Sequence, residues 1–237
     1  MTEETIVVTA AAFVAGASTV LLWQKWRRSK NDAGATVECD DLSLFYPDAH
    51  DKTADEASMR VIHPRCKFLE KDLYANVVRN TVVCCVDIVL VRRNAQTRRR
   101  ECLLLKRAAE PAKGLWWWPG GRLLKGETFF DAAVRKAQQE TGVHASLIRP
   151  VQVLGVWNTF FPYSSWDTDT IKGTQTVNPI VLVEFIDESS ASEIKLDQQS
   201  ENFKWITLNP AENQGEDKYV LAALNRLISW DPAYMYS

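Results

Sequence analysis

Residues 116–143 read WWWPGGRLLKGETFFDAAVRKAQQETGV, and this stretch decides how the rest of the chain is to be read. A Pro119-Gly120-Gly121 turn leads to Glu127, six positions after Gly121, then to Arg135 eight later, and closes on Glu140 and Gly142. Thr128 and Asp131 form a T-x-x-D capping pattern that starts a helix. Phe130, Ala133, Val134 and Ala137 recur at helical spacing as one core-facing stripe, while Lys136, Gln139 and Glu140 share a different face. Gly142 is the expected stop. A glycine turn lets backbone approach phosphate oxygens closely, and a carboxylate on the following helix can hold a hard cation through oxygen. The frame suits a site for a metal and a diphosphate.

Working outward, Thr81 to Val91 is β-branched and apolar nearly throughout, as a buried strand should be. Asn-Ala-Gln, flanked by Arg92, Arg93 and Arg98 to Arg100, reads as a hairpin turn before a second strand, Glu101 to Lys106. Its arginines read as a solvated turn rather than a nucleic-acid or lipid contact. Further strands are expected at 151–156, 180–186 and 203–208, with a long aromatic and polar loop, WNTFFPYSSWDTDTIKGTQT, between the first two. Tyr219 to Trp230 reads as a closing amphipathic helix. Strands and helices mixed in this way predict an α/β sandwich.

The N-terminus stands apart. Ile6 to Trp23 carries no charge and spans about 27 Å as a helix, just enough to cross a bilayer. Trp23 and Trp26 fall at the interface, followed by Lys25, Arg27, Arg28 and Lys30, while Glu3 and Glu4 precede the apolar run. That asymmetry predicts a single-pass anchor with the domain on the cytosolic side. The same acids oppose a cleaved signal or a presequence, so a mitochondrial address is the weaker alternative. The expected organisation is a tail over 1–5, an anchor over 6–23, a basic flank and acidic spacer over 24–60, and one globular domain over 61–237.

A formal charge of −2 argues against a general nucleic-acid binder. Cys39, Cys66, Cys84, Cys85 and Cys102 include no C-x-x-C pair and are odd in number. They suit reduced, packed thiols better than a disulfide framework or a zinc site.

The 116–143 frame resembles the Nudix box, G-x5-E-x7-R-E-U-x-E-E-x-G-U with U aliphatic. Two acidic positions of the box are taken here by Lys136 and Gln139. The chain further resembles the GDP-mannose mannosyl hydrolase branch, whose box also lacks those acids. The matching pieces are VVRNTVVCCVDIVLV, LLLKRAAEPAKGLWWWPGGRL, LGVWNTFFPYSSWDTDT and LDQQSENFKWI. The resemblance implies a Nudix-type α/β/α sandwich with a mixed sheet, one Mg2+ (Mn2+ as a substitute), a nucleoside-diphosphate-sugar substrate cut at the sugar carbon, and a homodimer.

Carried over by position, Arg107 and Arg122 match arginines that grip the diphosphate, and bidentate guanidinium contacts favour a leaving group gaining negative charge. Glu140, the Gly120 carbonyl and Gln199 match the metal ligands. Asp87 matches an acid near the leaving nucleotide, though pairing with a neighbouring arginine is an equal role for it. Gly121, Glu127, Arg135 and Gly142 are structural members of the motif, with Arg135 bracing the loop through Glu127. The branch's general-base histidine is replaced by Ser200, and a central-loop histidine by Thr159. His50, His63 and His144 match neither place. Glu201 is the nearest carboxylate to stand in as base, with Asp197 second. Two other readings stay open: attack at phosphorus, and a membrane-tethered binding protein that has lost catalysis.

Overall fold

A computed structural model describes residues 69–166, 173–187 and 194–236. The expected anchor and spacer lie outside the described residues, as does the expected domain start near Val61. Among the described residues no helix is long and apolar enough to cross a membrane.

The strands are β1 (Val83–Arg93), β2 (Arg100–Arg107), β3 (Trp116–Trp117), β4 (Gly120–Arg122), β5 (Ile148–Phe161), β6 (Thr174–Phe185) and β7 (Ser200–Thr207). The helices are α1 (Lys71–Asn80), α2 (Phe129–Thr141), α3 (Lys218–Trp230) and α4 (Ala233–Tyr236). One mixed sheet runs β3-β2-β1-β6-β5, with β4 also on β1 and β7 on β2. The β1–β6 pair is parallel and the other pairs are antiparallel.

The sheet is covered on both faces, which is why β1 is apolar almost throughout instead of alternating. Val86, Ile88 and Leu90 of β1 pack with Phe130, Ala133 and Ala137 of α2. Val89 and Val91 point the other way and pack with Val220, Leu224 and Leu227 of α3. This is the expected α/β sandwich. Leu224 and Leu227 are fully buried, and truncating either to Ala costs about 2–5 kcal/mol.

Helix α2 begins at a capping box, in which Thr128 and Asp131 satisfy each other's backbone amides, and ends at Gly142 with φ 70°. Gly142 takes a left-handed conformation that a Cβ would oppose.

The expected hairpin between β1 and β2 is held by Asn94, whose side chain accepts from the amides of Gln96 and Thr97, each at 2.9 Å. Two departures from the sequence reading matter. Helix α1 was not expected; its residues Leu73, Tyr74, Val77 and Val78 give only a short stripe. Most important, much of the expected 157–176 loop is strand. Phe161 pairs with Thr174 and Thr159 with Thr176, so β5 and β6 run well beyond their apolar cores. The inward residues there are Thr159, Thr176 and Asn178, hydrogen-bonded to one another. Buried polar residues satisfied in this way carry no hydrophobic signal.

Candidate active site

Strands β1 and β2 pair only at their hairpin end, from Val91–Cys102 to Arg93–Arg100. Beyond it they part, and the segment β3-Trp118-Pro119-β4 fills the opening. β3 bonds to Leu105 and Lys106 of β2, and β4 bonds to Cys85, Val86 and Asp87 of β1. The Ile88 amide donates to the Pro119 carbonyl at 2.9 Å. The glycine turn is therefore part of the sheet. A Cβ on Gly120 would run into the Val86 carbonyl and the Asp87 carboxylate. Gly121 has φ 152°, and a Cβ there would lie 2.7 Å from Lys136 Cε.

Helix α2 brings Glu140 against this turn. Glu140 Oε2 accepts from the Gly120 amide at 2.9 Å, and Oε1 faces Lys136 Nζ at 2.5 Å. The two side chains are 8% and 9% exposed, so this ion pair is buried. Burial pushes the Glu140 carboxyl up, opposed by the Lys136 charge and the Gly120 amide, with the Asp197 charge adding to the rise. The predicted ligand Gly120 thus offers Glu140 its amide. Among the described residues no three His, Cys, Asp or Glu side chains converge on one point. One carboxylate with phosphate oxygens and waters can hold Mg2+, but here both Glu140 oxygens are already engaged, one by an ammonium and one by an amide, and that does not fit a divalent ion on Glu140.

A second ion pair shapes the loop. The Glu127 carboxylate accepts from Arg135 Nε and, at 2.8 Å, from Arg135 Nη2, and it also takes the Leu124 amide at 2.8 Å. Arg135 Nη2 further donates to the Arg122 carbonyl at 2.9 Å. The Arg122 guanidinium lies over the Tyr74 ring, 4.2 Å from its centroid. Arg107 donates through Nε to the Pro111 carbonyl at 2.7 Å. Its charge reaches both Asp87 and Cys85. Lys136 also acts on Cys85, and Arg122 is the register partner of Cys85 across β1–β4. Arg107, Arg122 and Lys136 therefore gather about one end of β1. Burial pushes the Cys85 thiol up to about 12, with Asp87 and Cys84 adding to the rise, so it is a neutral wall of the site.

Asp87 sits beside the turn, nearly inaccessible. Tyr219 of α3 donates to its Oδ2 at 2.7 Å and Asn178 of β6 at 2.6 Å. Burial pushes its carboxyl up to about 6, against the pull of those donors and Arg107. Tyr219 also stacks on Trp117, with centroids 4.7 Å apart, and both rings line an open cleft of about 800 Å³ with Trp157 and Phe161. An apolar aromatic cleft ending on a few fixed polar groups is the usual form of a ligand site.

The remaining expected residues lie on the β7 side. Gln199 is exposed; its carbonyl accepts from Ala108 and its amide donates to Asp197, each at 2.9 Å. Ser200 is the register partner of Arg107. Glu201 is exposed and pairs loosely with Lys106 at 3.8 Å. The structure thus gathers Gly120, Gly121, Lys136, Glu140, Asp87 and the two arginines. Tyr74, Trp117, Asn178 and Tyr219 were missed because nothing local marks them. Lys136 and Glu140, at i and i+4, did carry a pairing signal.

The Nudix domain model matches residues 85–224. The low-salt glycan biosynthesis protein Agl8 of Haloferax volcanii is 32% identical over 102 residues, which is 43% of this chain and 56% of Agl8, so the chain spans about half of that relative. The chain is also similar to the crystal structure of a Caenorhabditis elegans Ap4A hydrolase, at 20% identity and TM-score 0.48, over 63% of this chain and 97% of that one. The Nudix hydrolase RenU of M. smegmatis aligns at 19% identity and TM-score 0.48, over 64% of this chain and 86% of RenU. Nudix hydrolases in general use divalent metal ions. With one family model running from Cys85 in β1 to Leu224 in α3, through the glycine turn, its brace and the whole of α2, the chain belongs to the Nudix family of hydrolases.

Proposed function

We propose that the protein hydrolyses a nucleoside-diphosphate-linked sugar, a GDP-sugar first, at the sugar carbon. The observation that carries this reading is the position of Asp87. It has Arg107 and the cation-lined glycine turn on one side and Tyr219, a wall of the aromatic cleft, on the other. That juxtaposition supports a ligand with a diphosphate joined to a flat, ring-bearing group. The similarity to a glycan biosynthesis protein supports the sugar.

In this mechanism Arg107 and Arg122 stabilise the diphosphate as the bond from the sugar carbon to the diphosphate oxygen breaks and its electron pair leaves with that oxygen. Water forms the new bond to carbon and gives up a proton. Asp197, whose charge reaches Glu140, moves ahead of exposed Glu201 as the acceptor. Glu140, engaged by the Lys136 ammonium and the Gly120 amide, opposes the Mg2+ or Mn2+ expected from the resemblance.

Turnover of a GDP-hexose in heavy-oxygen water tests the proposal. The label is expected on the sugar, with inversion at the anomeric carbon. Label in a phosphate would establish attack at phosphorus, and tight binding without turnover would establish a binding protein. Two further parts of the proposal lie outside the described residues or beyond one chain. The anchor over 6–23 predicts that full-length protein resists carbonate extraction, and pairing of two copies predicts a dimer in sedimentation.

A further inference from the structure

We infer that Lys136 is a resident cation of the glycine turn, its ammonium occupying on Glu140 the place at which a box carboxylate would recruit a divalent ion. Resting on the diphosphate reading above, it follows that the protein grips that group without a metal at this position. Lys136 stands where the box carries an acid, so the departure replaces a negative charge with a positive one and does more than delete a ligand.

Three observations support it. The ammonium is 2.5 Å from Glu140 Oε1 with both side chains below a tenth exposed, whereas a lysine without a task at this point would extend into water. Burying an ammonium is costly unless its donors are used, and among the described residues Glu140 is the one side chain that pairs with it. Two of its three N–H groups remain for an anion. Finally, Gly121 keeps the path open: a Cβ there would lie 3.0 Å from Nζ, so no side chain stands between the ammonium and the turn. A divalent ion on Glu140 would have to sit beside this fixed positive charge. The Lys136–Glu140 pair is neutral as it stands, and the net positive charge offered to a diphosphate comes from Arg107 and Arg122.

The test is a titration of full-length protein with Mn2+ alone, read by the paramagnetic resonance of the free ion. Wild type is expected to leave Mn2+ free where Lys136→Glu, which restores the box acid, binds one equivalent about tenfold or more tightly. Mn2+ is also expected to raise the Tm of that variant and not of wild type. In parallel, GDP affinity of wild type should be nearly equal in EDTA and in Mg2+, and Lys136→Met should weaken it about tenfold in EDTA. One equivalent of Mn2+ on wild type that disappears in Glu140→Gln overturns the inference, and needs no Lys136 variant to fold. Loss of wild-type GDP binding in EDTA overturns it as well. If GDP binds under neither condition, the substrate reading fails, and the Mn2+ titration decides the place of Lys136 by itself.

Discussion

Tyr219 and Asp87 stand 132 positions apart and are joined by one hydrogen bond, the phenol donating to Oδ2 across 2.7 Å. The bond ties α3 to β1 through the middle of the sandwich, and it holds a carboxyl that burial pushes up to about 6.

Stability should therefore depend on pH in a defined direction. The folded pKa of Asp87 lies above its ordinary 3.8. Its contribution is fully present below that value and is lost as pH rises through about 6, roughly 3 kcal/mol in all. Glu140, pushed up by burial, acts with the same sign. Asp87→Asn can still accept from Tyr219 and Asn178 but does not ionise. Urea unfolding at pH 4 and pH 7.5 should show a smaller difference for this variant than for wild type. An unchanged difference would mean that Asp87 is not the titrating group.

The brace is predicted to be specific for guanidinium. Glu127 has a fully inaccessible side chain and receives two bonds from Arg135, which also reaches the Arg122 carbonyl. Arg135→Met takes both guanidinium bonds away from a buried carboxylate and should cost about 3–5 kcal/mol. Arg135→Lys should restore less than half of that, because an ammonium cannot donate in parallel to both oxygens and to a third acceptor. Thermal melts of the two variants check it; full rescue by lysine would refute the geometry.

The two glycines should differ. At Gly120 an added Cβ meets backbone, the Val86 carbonyl, as well as Asp87, whereas at Gly121 it meets the far end of the Lys136 chain. Both alanines should lower the Tm, Gly120→Ala through overlap with backbone and Gly121→Ala through a φ of 152° that a Cβ disfavours. Gly121→Ala should in addition displace the Lys136 head and weaken GDP binding, which calorimetry can measure.

Tyr74 is predicted to position Arg122. The ring beneath the guanidinium contributes about 0.5–1 kcal/mol. Tyr74→Leu should lower kcat/KM for a GDP-sugar about threefold to fivefold, with kcat falling because Arg122 acts on the departing diphosphate, and Tyr74→Phe, which keeps the ring but not the hydroxyl, should restore most of it. A rise in KM at unchanged kcat would place Tyr74 in ground-state binding alone.

Helix α2 was readable because every local signal agreed, from the Thr128 cap to the Gly142 stop. Strand β1 was readable because coverage on both faces leaves a continuous apolar run. The far halves of β5 and β6 were not, since their inward positions are Thr159, Thr176 and Asn178, which look like loop residues until their partners are known. The site was half visible. Residues of the box announce themselves by spacing, while Tyr219 and Asn178 reach Asp87 only through the topology. Lys136 was visible as a departure from the box, but its meaning depended on which way a flexible side chain folds back.

The hook formed by β3, Trp118, Pro119 and β4 bears on how a ligand would be received. With the Pro119 carbonyl bonded to Ile88 and the Gly120 amide bonded to Glu140, the turn is clamped between strand and helix before anything arrives. An anion meeting it would not have to freeze a loop, so the ordering cost that mobile phosphate loops incur on binding is met during folding instead. Association there should accordingly be fast and nearly rigid.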